Sequence, residues 1–292
     1  MVITRIVRKV AFKSICLFFN LMLLQTFSSA QNKVVLSNQD WKNLLADQLF
    51  PGKKTDSLMF HFDIPFEEKF IFVNDSTALN GLIFKAKKAK GLIFYLHGSN
   101  NALDTWGKIA SIYTENGYDI FMLDYRGYGK SQGKVIDENT LYQDIQIVYD
   151  NLKDIYPENR IIVLGQSMGT ALASYTAASN HPALLILQAP YYNFKDWTNN
   201  IAPELDTSNI PYSFDNASFL MKVKCPVIVF HGNKDTAVYY GSSVKLSKLL
   251  KASDRFITLQ NEAHSDFSKN KSYLSSIASI LKSIGPLKAM DL

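Results

Sequence analysis

Apolar residues along this chain alternate between two arrangements. In the first they form short unbroken runs: "KGLIFYLHG" at 90–98, "YDIFMLDY" at 118–125, "RIIVLG" at 160–165, "ALLILQA" at 183–189, "CPVIVFHG" at 225–232 and "RFITLQ" at 255–260. Runs of this length predict strands, and unbroken apolarity predicts strands covered on both faces. In the second arrangement, apolar residues recur every three or four positions. This holds in 105–117, which closes on Gly117, and in 137–156, which stops at Pro157. It holds again in 241–253 and 273–284, while 167–179 is a run of small residues. These segments predict helices. Further upstream, 66–73 and 79–86 flank "NDST" and predict a hairpin, and "SNQDWKNLLADQLF" predicts a short helix opened by the pair Ser37 and Asp40. Strands alternating with helices predict an α/β fold: a mostly parallel twisted sheet with helices on both faces.

Two parts of the chain depart from that rhythm. The stretch between Ala189 and Pro226 is about 36 residues and must also hold a connecting helix, so it leaves room only for a short lid. The first thirty residues carry Arg5, Arg8, Lys9 and Lys13, then the apolar run "SICLFFNLMLLQTF", then "SSA" before Gln31. A basic start, a short apolar middle and small residues at a cut predict a secretory signal peptide cleaved near Ala30, and hence a periplasmic or extracellular protein. The competing reading is a retained membrane anchor, against which the apolar run falls short of the roughly 20 residues that span a bilayer. The expected organisation is a signal peptide at 1–30, an N-terminal extension at 31–65 and one α/β domain at 66–292.

Composition changes the picture in two places. The whole chain carries a net charge of +5. Without the export segment 27 basic residues stand against 26 acidic ones. No basic patch interleaved with aromatics remains, so nucleic acid is not an expected partner. Peripheral membrane contact stays open, and nothing in the sequence indicates an oligomeric state. Cys225 is the one cysteine beyond the export segment and reads as a packed core thiol rather than a disulfide partner.

Sheets of this kind present their chemistry at the carboxyl ends of their strands. At the end of 160–165 stands "GQSMG", with Ser167 between two glycines, followed by a helix whose amino end favours negative charge. A glycine on each side suits a serine forced into a tight, unfavourable turn against a neighbouring strand and helix. The competing reading is an ordinary polar turn. At the end of 226–231 stands "HGNKDTAV", with Asp235; at the end of 255–260 stands "NEAHSDF", with His264. Nucleophile, acid and histidine thus follow one another in chain order, each after its own strand. Asp215 competes with Asp235 but lies outside a strand end. The backbone N–H groups of Met168 and Ser99, with Asn100 as the alternative to Ser99, are the candidates to hold a developing oxyanion. His97 and His231 read as structural. Asp124 and Arg126 read as braces of the loop beside the site. Tyr191, Tyr192 and Trp197, with Phe194 and Tyr212, are candidates to line a substrate pocket, against the alternative that they cover the core.

The motifs "HGSNN", "GYDIFMLDYRGYGKSQG", "GQSMGT", "CPVIVFHGNKDTAV" and "EAHSDF" together resemble the α/β-hydrolase superfamily, in its compact ABHD-type and serine-aminopeptidase-like branches. The resemblance spans roughly 66–284. It implies a serine nucleophile at Ser167 with Asp235 and His264 as its partners, and neither metal nor organic cofactor. Many members carry a glycine where this chain has Ala263. The expected activity is hydrolysis of a carboxylic ester or thioester of a small-molecule or lipid-like acyl substrate. The alternatives are amide hydrolysis by a peptidase and a catalytically silent binding protein on the same fold.

Overall fold

The computed structural model describes residues 33–44, 50, 52, 59–264 and 267–284. The expected signal peptide and its cleavage site lie outside them. The chain begins with β1 (Val34–Val35) and α1 (Asn38–Leu44). The antiparallel pair β2 (Phe66–Asn74) and β3 (Thr77–Phe84) follows. Strand and helix then alternate through β4 (Leu92–Leu96), α2 (Leu103–Trp106), α3 (Ser111–Thr114), β5 (Asp119–Leu123), α4 (Glu138–Lys153), β6 (Ile161–Gln166), α5 (Gly169–Ser179) and β7 (Leu184–Gln188). The lid segment holds α6 (Phe194–Ile201), β8 (Leu205–Asp206) and α7 (Asn216–Leu220). β9 (Val227–Gly232), α8 (Tyr240–Ser247), β10 (Arg255–Leu259) and α9 (Lys271–Ser283) complete the order.

Eight strands form one sheet in the order β10-β9-β7-β6-β4-β5-β3-β2, parallel from β10 to β5 and antiparallel at β3 and β2. The continuous apolar runs are its central strands: every residue of β4, β5, β6, β7 and β9 is buried. Alternate residues of these strands feed two separate cores. Phe94, Val163 and Leu187 face α4 and α5, while Tyr95, Leu164 and Ile186 face α3 and α9. At the outer edge, β2 leaves Phe70 and Phe72 exposed. Among the described residues no helix is long and apolar enough to cross a membrane.

The expected single helix over 105–117 is instead α2, a 3-10 turn at Gly107–Ile109, and α3. The break falls at Gly107, where a β-carbon would land on the Phe62 ring. Close packing against Phe62 outweighs helical continuity, and glycine is a poor helix interior residue. The extension upstream of the sheet is packed onto the body. Ser37 and Asp40 exchange the expected capping bonds: Ser37 N–H donates to Asp40 Oδ2 at 3.1 Å, and Asp40 N–H donates to Ser37 Oγ at 3.1 Å. That start sets Trp41 fully buried, edge-on to Phe194 of α6, and β1 pairs in parallel with β8 of the lid. The N-terminal stretch therefore clamps the lid segment, a long-range contact that no local pattern announces.

Cys225 is a half-buried free thiol at the foot of β9, and burial pushes its ionisation up to about 11. Thiolate is the reactive form. At pH 8 Cys225 of the native protein should resist iodoacetamide and react only on unfolding, which mass spectrometry of the alkylated chain will read.

Candidate active site

The turn from β6 into α5 places Ser167 in the left-handed region, at φ +50°. A non-glycine residue held there is strained, by about 1–3 kcal/mol. The strain is held by surrounding bonds. Ser167 N–H donates to the Gln188 carbonyl of β7 at 2.8 Å, and Thr170 N–H donates to the Ser167 carbonyl at 3.0 Å. The two glycines are there for space. A β-carbon at Gly165 would lie 2.5 Å from the Gly169 carbonyl oxygen and 2.7 Å from Ala173, and one at Gly169 would run into the Leu96 carbonyl of β4. Gly169→Ala should therefore lower the unfolding free energy by about 3 kcal/mol, read as a lower denaturant midpoint.

Asp235 and His264 arrive on the two strands beyond β7, and their loops are sewn together. Lys234 N–H donates to the Glu262 carbonyl at 2.9 Å, Asn233 N–H to the Leu259 carbonyl at 3.1 Å, and Asn261 N–H to Asn233 Oδ1 at 2.7 Å. The result is a connected line. His264 Nε2 lies 2.9 Å from Ser167 Oγ, and His264 Nδ1 lies 2.7 Å from Asp235 Oδ2. The other carboxylate oxygen accepts the N–H groups of Ala237 and Val238, each at 2.9 Å. Burial alone would push the Asp235 carboxyl up, but hydrogen bonds from His231 and His264 outweigh it and hold the group well below the usual carboxylate range. The aspartate is thus a fixed anion, the imidazole is held as its Nδ1–H tautomer, and the serine hydroxyl faces the free nitrogen. Asp215 is elsewhere: it caps α7 through Ser218 N–H.

On the opposite side of Ser167 runs the loop after β4. A β-carbon on Gly98 would stand 3.3 Å from the Ser167 β-carbon, so loop and serine are in close approach. Aromatic donors take the loop's carbonyls: Tyr125 hydroxyl that of His97 at 2.7 Å, Tyr128 hydroxyl that of Ser99 at 2.8 Å, and Trp106 indole that of Asn100 at 3.0 Å. A peptide's N–H points opposite its C=O, so these bonds aim the N–H groups of Gly98, Asn100 and Asn101, while the Gly98 carbonyl, whose peptide carries the Ser99 N–H, lies 2.7 Å from His97 Nδ1. Met168 caps the amino end of α5, where N–H groups have no partner within the helix. Sequence reasoning missed Tyr125 and Tyr128. Both lie in "DYRGYG", whose aromatic positions were the available signal. Arg126 is turned away into a two-pronged bond with Asp144 of α4. Asp124 is fully buried and accepts from Leu103 N–H at 3.1 Å. Both brace the loop.

The aromatic residues of the lid make packing contacts: Tyr191 is buried, while Tyr192 and Trp197 are half-buried against the same core. Tyr191 is 2 % exposed and lies in the core with its hydroxyl 3.5 Å from the Met168 carbonyl. Tyr192 packs against the same core, its N–H bonded to Ser242 Oγ at 2.6 Å. Trp197 stacks on Phe194 and donates its indole N–H to the Ala237 carbonyl at 2.9 Å, bracing the turn that holds Asp235. Large aromatic surface at a sheet's end gains more from closing the core than from facing water. A cavity of about 30 Å³ instead lies on the other side of the sheet, walled by Trp106, Ile109, Ile112 and Phe267 and floored by Gln166 and Gln188. Among the described residues no cluster of metal-ligating side chains occurs.

The fold is that of the α/β-hydrolases, and the chain is similar to members of that superfamily. A family model described as "Serine aminopeptidase, S33" matches residues 87–207. The human alpha/beta hydrolase domain-containing protein 17B is 30% identical over 196 residues, 64% of this chain and 64% of the relative. The alpha/beta hydrolase domain-containing protein aho-3 of Caenorhabditis elegans is 28% identical over 195 residues, 65% of this chain and 57% of the relative. The chain thus spans under two thirds of the length of these relatives. The fold also matches an esterase of Pyrococcus furiosus, at a TM-score of 0.62 and 19% identity over 76% of this chain and 91% of that one. It matches Est1E of Butyrivibrio proteoclasticus, solved with ferulic acid bound, at a TM-score of 0.58 and 22% identity over 74% and 96%.

Proposed function

We propose that this protein is a serine hydrolase that cleaves a carboxylic ester or thioester through an acyl-enzyme. The observation that carries the reading is the unbroken line from Asp235 through His264 to Ser167, at 2.7 and 2.9 Å. Ser167 Oγ attacks the substrate carbonyl carbon while its proton passes to His264 Nε2. The Met168 and Ser99 N–H groups hold the negative oxygen of the tetrahedral intermediate, a service worth about two to three orders of magnitude in rate. His264 returns the proton to the departing alcohol or thiol. Water then repeats the sequence on the acyl-serine and releases the carboxylic acid.

The match of residues 87–207 to the serine aminopeptidase model supports amide hydrolysis as the second reading. Purified residues 31–292, offered p-nitrophenyl esters and thioesters of increasing acyl length beside aminoacyl amides, decide between them. Ester or thioester turnover supports the first reading and dominant amide turnover the second. No turnover, together with no labelling by a serine-directed phosphonate, would leave the chain a binding protein on a hydrolase fold. The basic, apolar and small-residue pattern of the first thirty residues adds export to the proposal. Amino-terminal sequencing of the exported protein should begin at Gln31.

A further inference from the structure

One buried imidazole next to the triad is unused by that mechanism. His231 is the last residue but one of β9 and is fully buried. Its Nε2 lies 2.9 Å from the Val238 carbonyl oxygen and 3.2 Å from Asp235 Oδ2, the same oxygen that faces His264. Its Nδ1 lies 2.5 Å from Ser243 Oγ, and that hydroxyl lies 3.0 Å from the Pro190 carbonyl oxygen. Proton bookkeeping fixes the ring. A carbonyl oxygen only accepts, so the contact with Val238 places a proton on Nε2. Asp235 Oδ2 stands 3.2 Å from the same nitrogen. With a neutral ring, the Ser243 hydroxyl gives its proton to Nδ1. With a charged ring, Nδ1–H donates to Ser243 and the hydroxyl turns to Pro190. Nε2–H persists in both states.

We propose that His231 is a positioning residue of the triad: its Nε2–H is the fourth donor on the Asp235 carboxylate and holds Oδ2 in line with His264 Nδ1. The proposal rests on the triad reading above. The four donors come from distinct places: two backbone N–H groups of the 235–238 turn, the base itself, and a side chain anchored through Ser243 on α8. Two of them bind Oδ1 and two bind Oδ2, so the carboxylate cannot rotate without breaking bonds on both oxygens. The anion can then orient and stabilise the His264 cation without taking its proton. The sequence placed His231 four residues before Asp235 and gave it a structural part; the shared oxygen is what assigns it a part in the reaction. Among the described residues, the titratable groups facing Asp235 are His231 and His264. The Tyr240 ring stands edge-on to His231 at 5.7 Å, and Glu262 accepts from Ala263 N–H beside His264.

The test compares His231→Phe, which keeps a planar ring and loses the donor, with His231→Gln, which restores an N–H at similar reach. With a p-nitrophenyl ester as probe, His231→Phe should lower kcat about tenfold with KM unchanged, the scale of one hydrogen bond to a charged group. The acid limb of its kcat/KM profile should move to higher pH, because an unshared charge on Oδ2 favours the His264 cation. His231→Gln should recover most of kcat and return the limb. A folded His231→Phe protein with the parent's kcat and pH profile overturns the proposal. So does a loss that tracks melting temperature alone in both variants with the limb unmoved. A second readout needs no turnover: in 15N-histidine-labelled protein, the hydrogen-bonded Nε2 proton of His231 should shift when Asp235→Asn is introduced. An unmoved resonance overturns the link even if the protein proves silent on every substrate. Failure of the triad reading shows differently, as turnover that survives Ser167→Ala.

Discussion

Ser167→Ala will abolish turnover while leaving a folded protein. The expected loss in kcat is between about 10⁴- and 10⁶-fold, the range found when the nucleophile of a triad is removed and only the oxyanion donors and binding remain. The size follows from the geometry. Ser167 Oγ is the atom 2.9 Å from His264 Nε2, and no other hydroxyl is bonded to that nitrogen among the described residues. Removing one oxygen from a half-buried side chain leaves the cores untouched. Stability should therefore stay close to that of the parent, and Ser167→Gly should be more stable than the parent by about 1 kcal/mol, because glycine occupies φ +50° without strain. Active-site strain traded against stability is a recognised pattern. Single-turnover kinetics and denaturant midpoints on the three proteins provide the check. Retention of turnover in pure Ser167→Ala protein would sink the assignment.

Asp235→Asn is expected to lower kcat by about 10⁴-fold, for a reason distinct from the loss of a charge. Oδ1 serves two backbone N–H groups and Oδ2 faces two imidazole N–H groups. An amide in that place keeps its oxygen for the turn and turns its NH₂ group toward the histidines. Two donors then face each other across the bond to His264. The imidazole escapes by moving its proton to Nε2, which is where the Ser167 proton has to go. The base is lost although every heavy atom is retained.

The same substitution has a signature in stability. Asp235 is held below its ordinary value in the folded protein. A carboxyl depressed in this way stabilises the fold above its unfolded value of about 3.9, and the contribution fades as pH falls toward the folded one. The stability difference between parent and Asp235→Asn should thus be widest at neutral pH and narrow below about pH 4. Melting curves from pH 7 to pH 2 measure this. A difference independent of pH would show that Asp235 is not held as an anion.

Much of this protein was legible in one dimension. The runs at 90–98, 118–125, 160–165, 183–189 and 225–232 are strands because both faces of a central parallel strand are covered, which leaves no place for an alternating polar residue. Gly165 and Gly169 mark the turn at Ser167 because contact with β4 and α5 leaves no volume for a side chain. The order Ser167, Asp235, His264 could be read because the chemistry of such sheets gathers at strand ends, and those ends follow directly from the apolar runs.

What the sequence left open depended on which surfaces meet. The segment over 105–117 carries helical periodicity, yet contact with Phe62 at Gly107 breaks it. Tyr191, Tyr192 and Trp197 have the composition of a pocket wall, and the same composition suits a core; only the folded chain shows Tyr191 buried and the Trp197 indole bonded to the Asp235 turn. His231 and Tyr128 reach Asp235 Oδ2 and the Ser99 carbonyl, partners brought near by folding rather than by any local repeat. By itself, then, the sequence determined the central strands, the mostly parallel sheet and the candidate residues at the strand ends, because burial pattern and turn sterics are local. The tertiary structure alone decided which oxygen each donor reaches and which aromatic faces a cavity, because tenths of an ångström between distant strands are set by packing.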